Sequence, residues 1–281
     1  MNEEFRFYTM ANDRMAIFFE RFLEYFSVFG RGSKLHVIPF DNNIERIVEI
    51  ASKRDDVVVI TPLPEIDAIG QRIFQNEEYR SDIPAWRYFR KLNAFANHSS
   101  PFLFVDANSL LLTDIRAIAS RLNLDGRSMY FGSKSAVART IRDEVARHFL
   151  STINPNIDSG FNCGFVLSRG ATMDLRVAGA LSHAGLRKII GKAPEQGFLT
   201  FYIGVCGLTH GIISDILTEF APPHKGLRGW VVDQQDGFLR TTIKPYENRV
   251  LFGLKYTGQD YEPEPEIFRQ FLARERKSVG V

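Results

Sequence analysis

Hydrophobic and polar positions follow two rhythms along the chain, and the changes between them mark the elements. Short apolar runs bounded by polar, Gly or Pro residues predict strands, while apolar residues every three or four positions predict helices. Phe5 to Met10 predicts a first strand. Asn12 or Asp13 then caps a helix whose Met15, Phe18, Phe19, Phe22, Phe26 and Phe29 share one face, and Gly30 and Gly32 end it. Leu35 to Phe40 predicts a second strand, Ile44 to Ser52 a helix and Val57 to Thr61 a third strand, after which Pro62 and Pro64 break the chain. A helix from Pro84 to Ala96 leads to a fourth strand, Pro101 to Val105, that ends at Asp106. Further on come a helix near Ile115 to Leu122, strands at Met129 to Gly132 and Phe161 to Ser168, and a helix from Thr172 to Ile190. The last third predicts a helix after Glu195 and strands at Gly211 to Leu217 and Arg249 to Tyr256, with Pro222, Pro223 and Gly226 to Asp236 as loop. This alternation predicts an α/β protein, one domain over residues 1–281 with an irregular C-terminal third.

Composition changes little in that picture. With 44% hydrophobic and 24% charged residues the chain is ordinary for a globular protein, and its 24 phenylalanines supply a large core. A net charge of +2 lacks the broad basic field that nucleic acid requires, so the local cluster Arg87, Arg90 and Lys91 reads as a site for an anionic ligand. Cys163 and Cys206 lie in apolar runs and read as buried thiols. His36, His98, His210 and His224 lack ligand spacing, and Trp86 reads as core. Neither a signal peptide nor a membrane-spanning run is evident, which makes a cytoplasmic location the expectation.

The most informative segment is Pro-Phe-Leu-Phe-Val-Asp-Ala-Asn-Ser, residues 101–109. A strand ending in Asp106, Ala107 and Asn108 presents two oxygen-bearing side chains two residues apart, on one face. Ligands of open α/β sheets sit at the carboxyl ends of strands, and two hard oxygen ligands there suit Mn²⁺ or Mg²⁺ bridging a nucleotide diphosphate. Asp and Asn are equally at home as turn residues, so the pattern alone leaves a plain strand-to-helix loop open.

Phe-Val-Asp-Ala-Asn resembles the Asp-x-Asp motif of GT-A glycosyltransferases, with Asn in place of the second Asp. Five more segments resemble the glycogenin-like branch of that family, in the same order. Phe7 to Asp13 resembles the opening strand and loop that hold base and ribose, which assigns Tyr8, Thr9 and Asn12 to the nucleotide. Arg90-Lys91-Leu92 resembles the basic step that reaches the donor, and Phe161-Asn162-Cys163-Gly164 the strand lining the sugar and acceptor pocket. Pro194-Glu195-Gln196 resembles the Asp-Gln pair opening the next helix, and Lys255-Tyr256-Thr257-Gly258 the late His-x-x-Gly motif near the diphosphate. The resemblance implies a Rossmann-like, three-layer α/β/α fold with a mixed sheet. Its nucleotide-binding half is about 1–110 and its sugar and acceptor half about 111–281.

It also implies transfer of a sugar from a UDP-linked or related donor to an acceptor hydroxyl, with retention. The acceptor is left open among lipid-linked glycans, proteins, small molecules and modified bases. Glu195, Gln196 and Asn162 are the expected catalytic group. Tyr8, Thr9, Asn12, Arg90, Lys91, Asp106, Ala107, Asn108, Lys255 and Gly258 are expected at the donor, and Asp106 and Asn108 at a metal. Trp230, Asp233 and Asp260 are further candidates on the acceptor and diphosphate sides. Two departures matter. Asn108 is neutral, and Lys255 stands where the family has a metal-binding His, so a weakened dependence on a divalent cation is expected. Two other readings remain. One is a nucleotidyltransferase, whose Gly-rich basic loop residues 10–14 do not match; the other is a non-catalytic carbohydrate- or nucleotide-binding protein.

Overall fold

The computed structural model describes residues 5–75, 77–78, 83–96, 100–114, 127–135, 140–155, 157, 160–170, 172–212, 217–220, 232–235, 238–241, 250–255 and 266–280. The N-terminal half alternates as its sequence predicts: β1 (Arg6–Ala11), α1 (Ala16–Phe29), β2 (Leu35–Pro39), α2 (Glu45–Ser52), β3 (Val57–Val59), α3 (Pro64–Phe74). A 3-10 stretch, Ala85–Phe95, then leads into β4 (Phe102–Val105) and β5 (Ser109–Leu111). Next come β6 (Met129–Ser135), α4 (Glu144–Ile153), β7 (Gly160–Ser168), α5 (Leu175–Leu181), α6 (Pro194–Val205) and β8 (His210–Ile212). The described remainder is β9 (Leu217–Phe220), β10 (Val232–Gln235), β11 (Phe238–Thr241), β12 (Val250–Lys255) and α7 (Glu266–Val279).

Seven strands form one mixed sheet in the order β3-β2-β1-β4-β7-β6-β8. β1, β2, β3 and β4 run parallel, whereas β7 is antiparallel to both β4 and β6. That reversal brings the start of β7 to the carboxyl ends of β1 and β4. Alternate residues of β1 face opposite layers. Phe7 and Ala11 join a core with α1, α2 and α7, while Tyr8 joins a second core with α3, α5, α6 and the 85–95 stretch. Apart from Tyr25, the largest fully buried side chains are phenylalanines, which is what the high Phe content supplies. A second sheet, β10-β11-β12-β5 with β9 on β12, hangs on β5, directly after the Asp106 turn.

Several elements differ from the sequence reading. Pro64 starts a helix: it occupies the first turn of α3, where its missing N–H costs nothing, and Glu65 and Asp67 favour the same end. α4 also went unread, although Asp143 caps it by accepting from the Ala146 N–H. The expected 172–190 helix breaks into α5 and a 3-10 turn, Leu186–Lys188, because Gly185 sits at φ 65°, the left-handed region. Asn12 and Asp13 do not cap α1 with their side chains; Asp13 instead accepts from the Ile47 N–H at the start of α2. Part of the expected 226–236 loop is β10, and the expected 115–122 helix lies outside the described residues. β8 and β9 are separate strands, with 213–216 between them also outside.

The 85–95 stretch is an unusually long 3-10 helix, and its threefold repeat eclipses every third side chain. Phe89, Leu92 and Phe95 therefore line up into the core. Beyond it, α6 and β7 close on one residue. A Cβ on Gly197 would lie 2.4 Å from the Thr140 carbonyl oxygen and 2.5 Å from Ile190 Cγ2, and one on Gly160 would lie 2.5 Å from Thr140 Oγ1. Gly-to-Ala in a helix ordinarily stabilises by up to about 1 kcal/mol. Here Gly197→Ala is expected to destabilise by about 1–3 kcal/mol through overpacking against backbone, read from the urea midpoint.

Candidate functional site

β4 ends at Val105, and residues 106–108 form a tight turn rather than a continuation of the strand. The Asp106 N–H donates to the Gly164 carbonyl at 2.9 Å, and the Ser109 N–H returns to the Asp106 carbonyl at 2.9 Å. Strand alternation therefore does not set the directions of Asp106 and Asn108. Ala107 is buried between them, while both polar residues are partly exposed.

Lys91 lies under this turn. Its Nζ donates to Asp106 Oδ1 at 2.9 Å and to the Cys163 carbonyl at 3.3 Å, and sits 3.9 Å from Glu195 Oε1. The ammonium also packs over the Phe104 ring, 4.9 Å from its centroid. A buried ammonium needs such partners, because an isolated one would surrender its proton. Burial works to lower the Lys91 pKa, but the Asp106 and Glu195 carboxylates outweigh it and hold the group protonated.

Glu195 follows Pro194 in the first turn of α6, with its side chain 6% exposed. Burial pushes its carboxyl above the usual range; the Lys91 charge opposes this and the Asp106 charge adds to it. Gln196 Nε2 reaches Glu195 Oε1 at 3.5 Å. Asn162 is partly buried, and its Oδ1 accepts from the Gly164 N–H at 2.9 Å. Lys91, Asp106, Glu195 and Gln196 thus converge from three separate segments, and Asn162 holds Gly164, whose carbonyl accepts from the Asp106 N–H.

The remaining expected residues have other surroundings. Tyr8 is buried in mid-strand, its ring stacked on His36 at 5.0 Å and edge-on to Phe102, with burial raising its phenol pKa. Thr9 is wholly buried, on the opposite face of β1. Asn12 donates to Asp41 Oδ2 at 2.8 Å. The expected basic cluster has three separate partners: Arg87 pairs with Asp41 at 3.5 Å, Arg90 grips Asp67 with two nitrogens, and Lys91 holds Asp106. Arg90 also donates to the Pro39 carbonyl, so it braces the end of β2. Asp41 and Asp67 escaped the sequence reading. Asp41 had a signal, standing in a polar Asp-Asn-Asn triplet straight after an apolar strand. Lys255 is in register with Ser109, which sets it beside the Asp106 turn. Gly258, Asp260, Trp230, His98 and His224 lie outside the described residues. Cys163 is buried and Cys206 half-buried, and neither is in a disulfide.

Asp106 and Asn108 do not fit a divalent cation as they stand. The Asp106 carboxylate is neutralised by Lys91, Asn108 adds no charge, and among the described residues no group of three His, Cys, Asp or Glu could complete a site.

No family model matches the chain, and no curated protein does. Solved structures do. An active-site glutamine-to-glutamate mutant of LgtC is 13% identical over 96% of this chain and 95% of that one, with a TM-score of 0.60. Galactosyltransferase LgtC in complex with donor and acceptor sugar analogues matches over the same shares at 13% identity and a TM-score of 0.54. Mouse xyloside xylosyltransferase 1 in its apo form matches 78% of this chain and 88% of its own, at 11% identity and a TM-score of 0.50. The chain therefore has the GT-A fold expected from its motifs, with the mixed sheet in the middle layer.

The raised Glu195 carboxyl fixes a pH dependence. Its contribution to stability is fully present below about pH 4.3, the unfolded value, and is lost as pH rises through the higher folded value. Glu195→Gln is thus expected to melt above the wild type at pH 7, with the gap narrowing below pH 4 in a melting series.

Proposed function

We propose that the protein is a glycosyltransferase that takes a sugar from a nucleotide-diphosphate donor, UDP-linked by resemblance, to an acceptor hydroxyl. The observation that carries this reading is the buried Lys91 between Asp106 and Glu195, at the carboxyl end of β4, where the sheet reverses direction. Ligand sites of α/β sheets belong at such points. The overall likeness to LgtC, whose complex holds donor and acceptor sugar analogues, agrees with it.

In this reading the nucleotide lies over the ends of β1 and β2, near Asn12 and Asp41, and its diphosphate over the 106–108 turn. Negative charge grows on the diphosphate as the bond from the anomeric carbon to the phosphate oxygen breaks and the electron pair passes to that oxygen. Fixed cations stabilise that charge most in a site already organised for it, and this reading gives that role to Lys91 and Lys255. Asn162 and Gln196 carry both donors and acceptors for sugar hydroxyls. Glu195 stands beside Gln196 as the polar group facing the reacting carbon, and its raised pKa suits proton exchange with an acceptor. Among the described residues no helix is long and apolar enough to cross a membrane, which leaves the kind of acceptor open.

A thermal-shift screen against UDP-, GDP-, ADP- and dTDP-sugars tests the donor. One nucleotide family is expected to raise the melting temperature, by the equivalent of about 2.7 kcal/mol at a hundredfold excess over Kd. Absence of a shift with any of them would refute the donor site. Gln196→Ala is expected to bind the free nucleoside diphosphate as the wild type does, yet bind the nucleotide-sugar about fivefold more weakly, the value of one lost hydrogen bond. Titration calorimetry with both ligands separates the two.

A further inference from the structure

We infer that Asp106 is committed to Lys91 rather than to a metal ion, and that this chain holds the diphosphate of its donor without a divalent cation. The inference rests on the donor-site reading above and sharpens it. A dication at the turn would need negative charge to balance it. Asp106 is the carboxylate there, and its Oδ1 already accepts from an ammonium at 2.9 Å. Lys91 is no mobile surface group that a metal could push aside. It is buried, its second hydrogen bond goes to the Cys163 carbonyl, and Phe104 covers it from below. Glu195 does not restore the missing charge, because its Oε1 is paired with the same ammonium, 3.9 Å away. Asn108 offers a carbonyl oxygen with no charge, and the β12–β5 register sets a second lysine, Lys255, opposite Ser109 at the edge of the turn.

The arrangement suits an anion better than a cation. With Asp106 neutralised from beneath, the turn no longer repels a diphosphate, and lysine, a compact point charge with three donors, is a common phosphate partner. Asp106 becomes a positioning residue for Lys91, and the two together do electrostatically what a carboxylate and a bound metal would do.

Titration calorimetry of the full chain with UDP, and in parallel with GDP, ADP and dTDP, is run once in EDTA and once in Mn²⁺. The nucleotide that binds is expected to give Kd values within about twofold of each other. A Kd that weakens tenfold or more in EDTA would overturn the inference while leaving the donor site intact. No binding in either buffer would overturn the donor site itself, and the inference with it. Lys91→Met keeps the length of the side chain but frees Asp106, and is expected to make nucleotide binding Mn²⁺-dependent by tenfold or more; metal-independent binding in that variant would refute the role given to Lys91. If it does not fold, Asn108→Asp on the partly exposed turn replaces it. With Lys91 in place, nucleotide affinity is expected to stay indifferent to Mn²⁺ despite the added carboxylate. Dependence appearing there would show that the missing charge at 108, and not Lys91, excludes the metal.

Discussion

One buried ammonium organises this protein. Lys91 comes from the 3-10 stretch, Asp106 from the turn after β4, the Cys163 carbonyl from β7 and Glu195 from the first turn of α6. These segments are far apart in the chain, and a charge inside the molecule needs paired and hydrogen-bonded partners of this kind. The group is thus a condition on the fold as much as a feature of the site. Removing Lys91 would leave the buried Glu195 without its cationic partner, while Asp106, a quarter exposed, still reaches water.

The strand order makes the meeting possible. Because β7 runs against β4, the start of β7 lies at the same end of the sheet as the finish of β4, and Asn162 comes within reach of the Asp106 turn. Thr140 then serves as the common surface against which glycines of β7 and α6 close, which docks the elements carrying Asn162 and Glu195 on one residue. The 3-10 repeat of 85–95 does the same for the basic residues. It commits Phe89, Leu92 and Phe95 to the core and leaves Arg90 and Lys91 to take different partners at the cleft. On the side of the first sheet the charges of Lys91, Asp106 and Glu195 are already paired with one another. Such arrangement in advance is what electrostatic stabilisation of a developing anion requires.

Much of this was legible in the residues. The Phe face of α1, the apolar run ending at Asp106 and the strand over Phe161 to Ser168 follow local rules of periodicity, and the structure keeps them. Pro64 was misread as a break because a proline announces both the end of a strand and the first turn of a helix. The acidic Glu65 and Asp67, with Ile66, Ile69 and Ile73 at helical spacing, were the signal that decides between them. Arg87, Arg90 and Lys91 read as one basic cluster, since a sequence shows that charges are neighbours but not which carboxylates they meet.

The sequence by itself determined the α/β class and the ends of most strands, because those depend on local periodicity. Only the tertiary structure decided what the charges do. Asp106 pairs with Lys91, Asp13 accepts from the start of the next helix and Tyr8 stacks on His36, all through contacts between distant segments. Burial converts those contacts into chemistry, by holding Lys91 charged and raising Glu195, and burial belongs to the folded molecule rather than to any stretch of chain.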